Sequence, residues 1–204
     1  WFTGLILLYV IYWHGSLSMG ESVGNLMFDA GTDVTGIAHL MILITFVAVF
    51  AYDYLYSSGL IKDVRVITVV SFILIAGIIY LMKFHGGFGY RAFNIHLGAL
   101  FGTNMAFNVW FRIWPAQQKI ITAIKNGEAP DPDLAALAGL RSKHNTYMSV
   151  PLVWTMMNEH TTLFTGGNFG ITDSTNWLVL VIMIALGWHV VWQIYKKSGT
   201  VKGF

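Results

Sequence analysis

This sequence predicts an all-α integral membrane protein, a bundle of five to six transmembrane helices, and three observations carry that expectation. Only 11% of the residues are charged and 55% are hydrophobic, against about 25% charged in an ordinary soluble domain. The bilayer is therefore the solvent that the composition suits. Apolar runs recur along the 204 residues, each near the ~20 residues that a helix needs to cross ~30 Å of hydrocarbon. None shows the alternation with a period of two that marks the strands of a membrane barrel.

The first run, Trp1 to Trp13, opens directly in apolar sequence with no basic leader, so the chain reads as a piece that starts inside a helix. The second runs from Val34 to Tyr52, the third from Val66 to Met82 and the fourth from Ala92 to Phe111. The fifth begins near His144 and reaches about Leu163, with Pro151 inside it; the sixth spans Ser174 to Tyr195. Pro115 is placed to end the fourth helix. Between the fourth and fifth, residues 115–143 read as an interfacial loop within a single transmembrane domain, 1–204. Gln117 to Lys125 has an amphipathic pattern, and Gly127-Glu-Ala-Pro-Asp-Pro132 is turn chemistry.

Alternation of the helices puts ten of the twelve basic residues on one side: Lys62, Arg65, Arg112, Lys119, Lys125, Arg141, Lys143, Lys196, Lys197 and Lys202. Lys83 and Arg91 share the other side with Glu21, Asp29, Asp33, Glu159 and Asp173. The positive-inside rule then sets the 115–143 loop and the C-terminus in the cytoplasm. A formal net charge of +2, with no basic block interleaved with aromatics, gives nucleic acid no footprint. With no cysteine, thiolate metal sites and a C-x-x-C-H haem attachment are excluded from this chain.

Seven histidines remain as the candidate ligands. An imidazole in hydrocarbon is costly and usually faces a bundle interior, a cavity or a metal. By helical rise, His39 and His96 lie roughly 8 Å inside the non-cytoplasmic boundary, and His160 reaches the same boundary on the fifth helix. His144 and His189 form a second layer at the cytoplasmic side, while His14 and His85 fall in or near loops. A six-coordinate haem b needs two histidines from different helices at one depth, so the expected iron ligands are His96 with His160, or with His39 in place of either. His144 with His189 would hold a second haem. Gly98, Gly102 and Gly187 could admit a flat macrocycle, although Gly98-x-x-x-Gly102 is equally a helix-packing motif. Arg141, Asn145 and Tyr147 read as a mouth for head groups or a planar polar ligand such as a quinone, with Asn145 available to cap the fifth helix. Asn104 and Asn108, one turn apart, call for interhelical hydrogen bonds.

The stretches His96-Leu-Gly-Ala-Leu-Phe-Gly-Thr-Asn-Met-Ala-Phe-Asn108-Val and Trp114-Pro-Ala-Gln-Gln-Lys119, with Gly127-Glu-Ala-Pro-Asp131, Arg141-Ser-Lys-His144-Asn-Thr-Tyr147, Pro151 and Met157-Asn-Glu-His160, carry a family resemblance. They resemble the membrane domain of bacterial membrane-bound urate hydroxylase, the urate oxidase N-terminal domain family. Weaker similarity extends to Trp1-Phe-Thr-Gly4 and Ala51-Tyr-Asp53, so nearly the whole chain is covered. The resemblance implies a bacterial inner-membrane protein that oxidises urate and passes electrons to a cytochrome c. The matching positions are His96, Asn108, Arg141, His144, Asn145, Tyr147, Pro151, His160 and His189. Two departures are the missing C-x-x-C-H module and an upstream His-bearing helix that such proteins usually have. The first expectation is therefore a haem b-bearing electron-transfer subunit that works with other membrane subunits and with a cytochrome c or quinone. The alternatives are the urate-oxidising enzyme itself and a cofactor-free packing subunit of a respiratory or photosynthetic complex.

Overall fold

A computed structural model describes residues 1–14, 27–28, 35–160, 163–164 and 168–201. Among these residues the only extended pairing is an isolated antiparallel bridge between Phe28 and Phe88, and the rest of the architecture is helical. Glu21, Asp29, Asp33 and Lys202, counted in the charge asymmetry, lie outside the described residues, as do Thr161 and Thr162 at the expected end of the fifth helix.

Helix α1, Phe2–Leu8, continues as a π-helical turn, Tyr9–Trp13. α2 is Gly36–Ser57, started by Thr35, whose side-chain oxygen accepts from the Ala38 amide. α3 is Val64–Phe84, started in the same way by Asp63 on the Arg65 amide. α4 is Tyr90–Phe107. It does not stop at Pro115. A π-helical turn, Asn108–Ile113, leads without a break into α5, Trp114–Lys125. In that turn the Trp114 amide donates to the carbonyl of Val109, five residues back. A proline lacks the amide that a helix interior uses and its ring presses on the carbonyl four residues behind; a π turn is one way in which a helix takes up such a fault.

The fifth helix also differs from expectation. α6 is Pro132–Asn158, beginning twelve residues before His144 because Asp131 caps it and Pro132 occupies the first turn, where its missing amide costs nothing. The expected loop 115–143 is thus α5 and the first turns of α6, joined by a short turn. Asn145 consequently sits in mid-helix and caps nothing. After a single 3₁₀ turn at Asn168–Gly170, α7 is Asn176–Ser198.

α4 is at the centre, buried on several sides and packed against α2, α3, α6 and α7. Its closest approach is to α6, where a Cβ on Gly98 would stand 2.5 Å from Thr155 Oγ1. α6 in turn packs on α7 at Gly187, where a Cβ would meet Val150 at 3.1 Å and Pro151 at 3.4 Å. Gly102, the other half of the small-residue motif, has open space beside it.

Three helices, α2, α3 and α7, are long and apolar enough to cross a membrane. Each turns an apolar stripe outward at helical spacing: Leu40, Leu43, Val47 and Phe50 on α2, and Leu178, Ile182, Leu186 and Val190 on α7, are all exposed. Apolar surface on this scale is foreign to a water-soluble monomer. The apolar interior also holds a set of polar side chains: Asn94, His96, Asn104, Asn108, Arg141 and Asn158 are all buried.

Candidate functional site

Helical spacing assembles a charged network at one end of the bundle. On α2, Tyr52 and Tyr56 lie one turn apart, as do Asp53 and Ser57; on the π turn and on α6, Asn108 with Arg112 and Arg141 with Asn145 repeat the same interval. Arg112 donates from Nε to Asp53 Oδ1 at 2.9 Å and from Nη2 to Oδ2. Arg141 donates from Nη2 to the same Asp53 Oδ1 at 2.9 Å and to Ser57 Oγ at 2.7 Å. Its guanidinium carbon lies 5.3 Å from the centre of the Tyr52 ring. Arg141 is 1% exposed, yet its Nε and Nη1 make no hydrogen bond.

A chain of neutral groups continues from there. Asn108 Nδ2 donates to the Tyr52 hydroxyl and to Asn145 Oδ1, both at 2.8 Å, and Asn145 Nδ2 donates to the Met105 carbonyl at 3.2 Å. The Tyr52 hydroxyl is 2.8 Å from His144 Nδ1, and the Tyr56 ring packs on the same imidazole with centroids 4.4 Å apart. Asn108 Oδ1 is buried without a partner. The network as a whole holds two guanidiniums and one carboxylate.

The opposite end has its own polar contacts. His96, fully buried, accepts from Trp13 Nε1 at Nε2, 2.9 Å away, and its Nδ1 lies 2.7 Å from the Ala92 carbonyl. Tyr12 donates to Glu159 Oε2 at 2.7 Å, and Asn158 Nδ2 donates to the Tyr90 hydroxyl at 2.7 Å and to Asn94 Oδ1 at 3.0 Å. Lys83 pairs with Asp173 at 2.7 Å.

The histidines expected as haem ligands are therefore distributed differently from their depths. Both ring nitrogens of His96 are already engaged, while His160 is exposed. His39 is exposed with Nδ1 against the Thr35 carbonyl, and His189 is exposed beside Gln193 and Trp192. His144 turns to Tyr52 and Tyr56 of α2. The reason is rotation: Gly98 and Gly187 are the positions that face α6, so His96 and His189, two residues away from each and about 200° round the helix, face elsewhere. Facing histidines for a six-coordinate haem are not formed by these side chains as they stand. Among the described residues, no three His, Asp or Glu side chains gather into a group that could hold a metal ion.

Of the expected head-group residues, Arg141 and Asn145 belong to the charged network, whereas Tyr147 stacks on Tyr195 at 6.1 Å and 15°. Asp53, Tyr52 and Arg112 entered no site drawn from the sequence, and Trp13 was not foreseen as the partner of His96. A carboxylate near the end of an otherwise uncharged helix was the available signal, since such a group needs a cation nearby.

The fold and this network define a helical protein of membrane type in which one carboxylate is shared by a buried arginine and a half-buried one. The model of the Urate oxidase N-terminal family matches residues 1–202, and the chain belongs to that family. No curated protein and no solved structure matches it.

Proposed function

We propose that this chain is the membrane domain of a urate-oxidising redox protein, embedded in a bacterial inner membrane and passing electrons to a cytochrome c. The observation that carries this reading is the family match over residues 1–202. Urate hydroxylation with water as the oxygen source releases two electrons and two protons, so an acceptor partner is part of the reaction. In this reading α4 and α6 cross the bilayer with α2, α3 and α7, and α1 lies against them as a sixth apolar helix. Two pairs of the amides that lower the hydropathy of this region meet between helices, Asn108 with Asn145 and Asn158 with Asn94. The basic end, with Arg112, Arg141, Lys143 and Lys196, faces the cytoplasm.

A haem-bearing electron-transfer subunit is the second reading, and it would need histidines to turn toward each other from where they now lie. Two measurements on the detergent-purified protein separate the readings. Urate-dependent reduction of added cytochrome c, with loss of urate absorbance, is the expected result. A reduced-minus-oxidised spectrum with a b-type band and no urate consumption would favour the haem subunit, and neither signal would leave the packing subunit.

A further inference from the structure

We propose that Lys143 and Lys196, held over the rings of Tyr195 and Trp192, form a site for the phosphate of an anionic phospholipid where α6 and α7 leave the bilayer. The site rests on the reading above that α6 crosses the membrane beside α7, and not on the choice of substrate. Tyr195 joins the two helices. Its hydroxyl donates to Thr146 Oγ1 at 3.1 Å, its ring stacks on Tyr147 at 15°, and Lys143 Nζ lies 4.8 Å from its centroid. On the same face of α7, Lys196 Nζ lies 4.9 Å from the centre of the Trp192 ring. Lys143, Thr146, Trp192, Tyr195 and Lys196 are all exposed, so the cluster is open to a ligand from outside.

A ring face occupies one side of an ammonium and leaves its other N–H groups to a further acceptor. That acceptor has to come from beyond the two helices. No Asp or Glu lies between Leu134 and Asn158 or after Asp173, and among the described residues neither lysine is in a salt bridge. The surface below the cluster selects a lipid over a free anion. Thr146, Val150, Val153 and Met157 follow one another at helical spacing along α6, and the last three are exposed. An apolar strip therefore leads from the cluster into hydrocarbon, while Trp192 and Tyr195 suit the head-group level. A phospholipid fits both parts, with phosphate at the ammoniums and an acyl chain along the strip. A zwitterionic lipid brings its own cation, so the unpaired lysines favour an anionic one.

Amine acylation read by mass spectrometry, on the purified chain in nanodiscs of phosphatidylglycerol or of phosphatidylcholine, tests this without a variant. Phosphatidylglycerol should slow labelling of Lys143 and Lys196 about fivefold each, and leave the exposed Lys62 and Lys125 unchanged. Equal slowing of all four lysines, or of none, would overturn the site. In a lipid titration followed by native mass spectrometry, Lys143→Gln with Lys196→Gln should abolish the preference for phosphatidylglycerol. Lys62→Gln with Lys125→Gln, the same change of charge, should keep it; equal loss in both would reduce the site to diffuse surface charge. Inorganic phosphate that protects Lys143 and Lys196 as strongly in phosphatidylcholine discs would overturn the lipid in favour of a free anion. A hydrophobic carbene precursor checks the membrane placement separately. Labelling at Val153 with the lysines unprotected would sink the site alone, whereas an unlabelled α6 would sink the placement and the site together.

Discussion

Asp53 is the residue on which the interior charge depends. Removing one member of a buried ion pair leaves its partner uncompensated, which typically costs 3–5 kcal/mol. Asp53 serves two arginines, one of them fully enclosed. Asp53→Asn should therefore lower stability by about 3–5 kcal/mol, seen as an earlier midpoint in denaturant titration of the detergent-solubilised protein; a midpoint unchanged from the parent would show that the pair contributes little. His96 has a different role in the fold. It ties the π turn after α1 to α4 by accepting from Trp13, so His96→Leu strands the half-buried indole's N–H and should cost about 1 kcal/mol. The accompanying sign would be earlier proteolysis near the α1 end, because Trp13 is one of the few polar ties that hold that helix down.

At the scale of elements, two glycines one turn apart on α4 make opposite predictions. Gly98→Ala puts a methyl 2.5 Å from Thr155 Oγ1, a hydroxyl that already donates to the Leu152 carbonyl. Forcing α4 and α6 apart there should cost about 1–3 kcal/mol. Gly102 has open space beside it, so Gly102→Ala should be neutral or stabilising by up to about 1 kcal/mol through helix propensity. Comparing the melting temperatures of the two variants decides whether the motif packs through both glycines or through one. The π turn at Asn108–Ile113 matters to the site in the same structural sense: it carries Asn108 and Arg112 to α2 and α6 while the chain passes Pro115.

The molecule as a whole has apolar stripes on its outer face and an apolar core into which a set of amides, His96, Lys83 and Arg141 are also buried. The proposed topology, with the basic end in the cytoplasm, is open to labelling because the sequence has no cysteine. A single cysteine at Ser142, exposed near the network, should react with a membrane-impermeant maleimide in inverted vesicles and stay unlabelled in intact spheroplasts. Labelling from the periplasmic side would invert the topology and place the arginine end outside.

Helix content and the approximate position of six helical segments were legible from apolar runs, because hydrocarbon thickness sets a length that sequence can meet or fail to meet. The caps Asp63 and Asp131 are local signals that the apolar runs did not draw out, and the start of α6 was misplaced because polar residues between Pro132 and His144 looked like a loop, although Asp131 and Pro132 form an ordinary helix start. Depth was legible too: His144 and Asn108 do lie at one end and His96 and Glu159 at the other. What counting along a helix leaves open is rotation about its axis relative to a neighbour, and that is decided by packing at Gly98 and Gly187. Depth alone paired His96 with His160 and His144 with His189; rotation gave His96 to Trp13 and His144 to Tyr52. The sharing of Asp53 by Arg112 and Arg141 was likewise a property of three helices meeting, since no stretch of one helix contains the carboxylate and either guanidinium together.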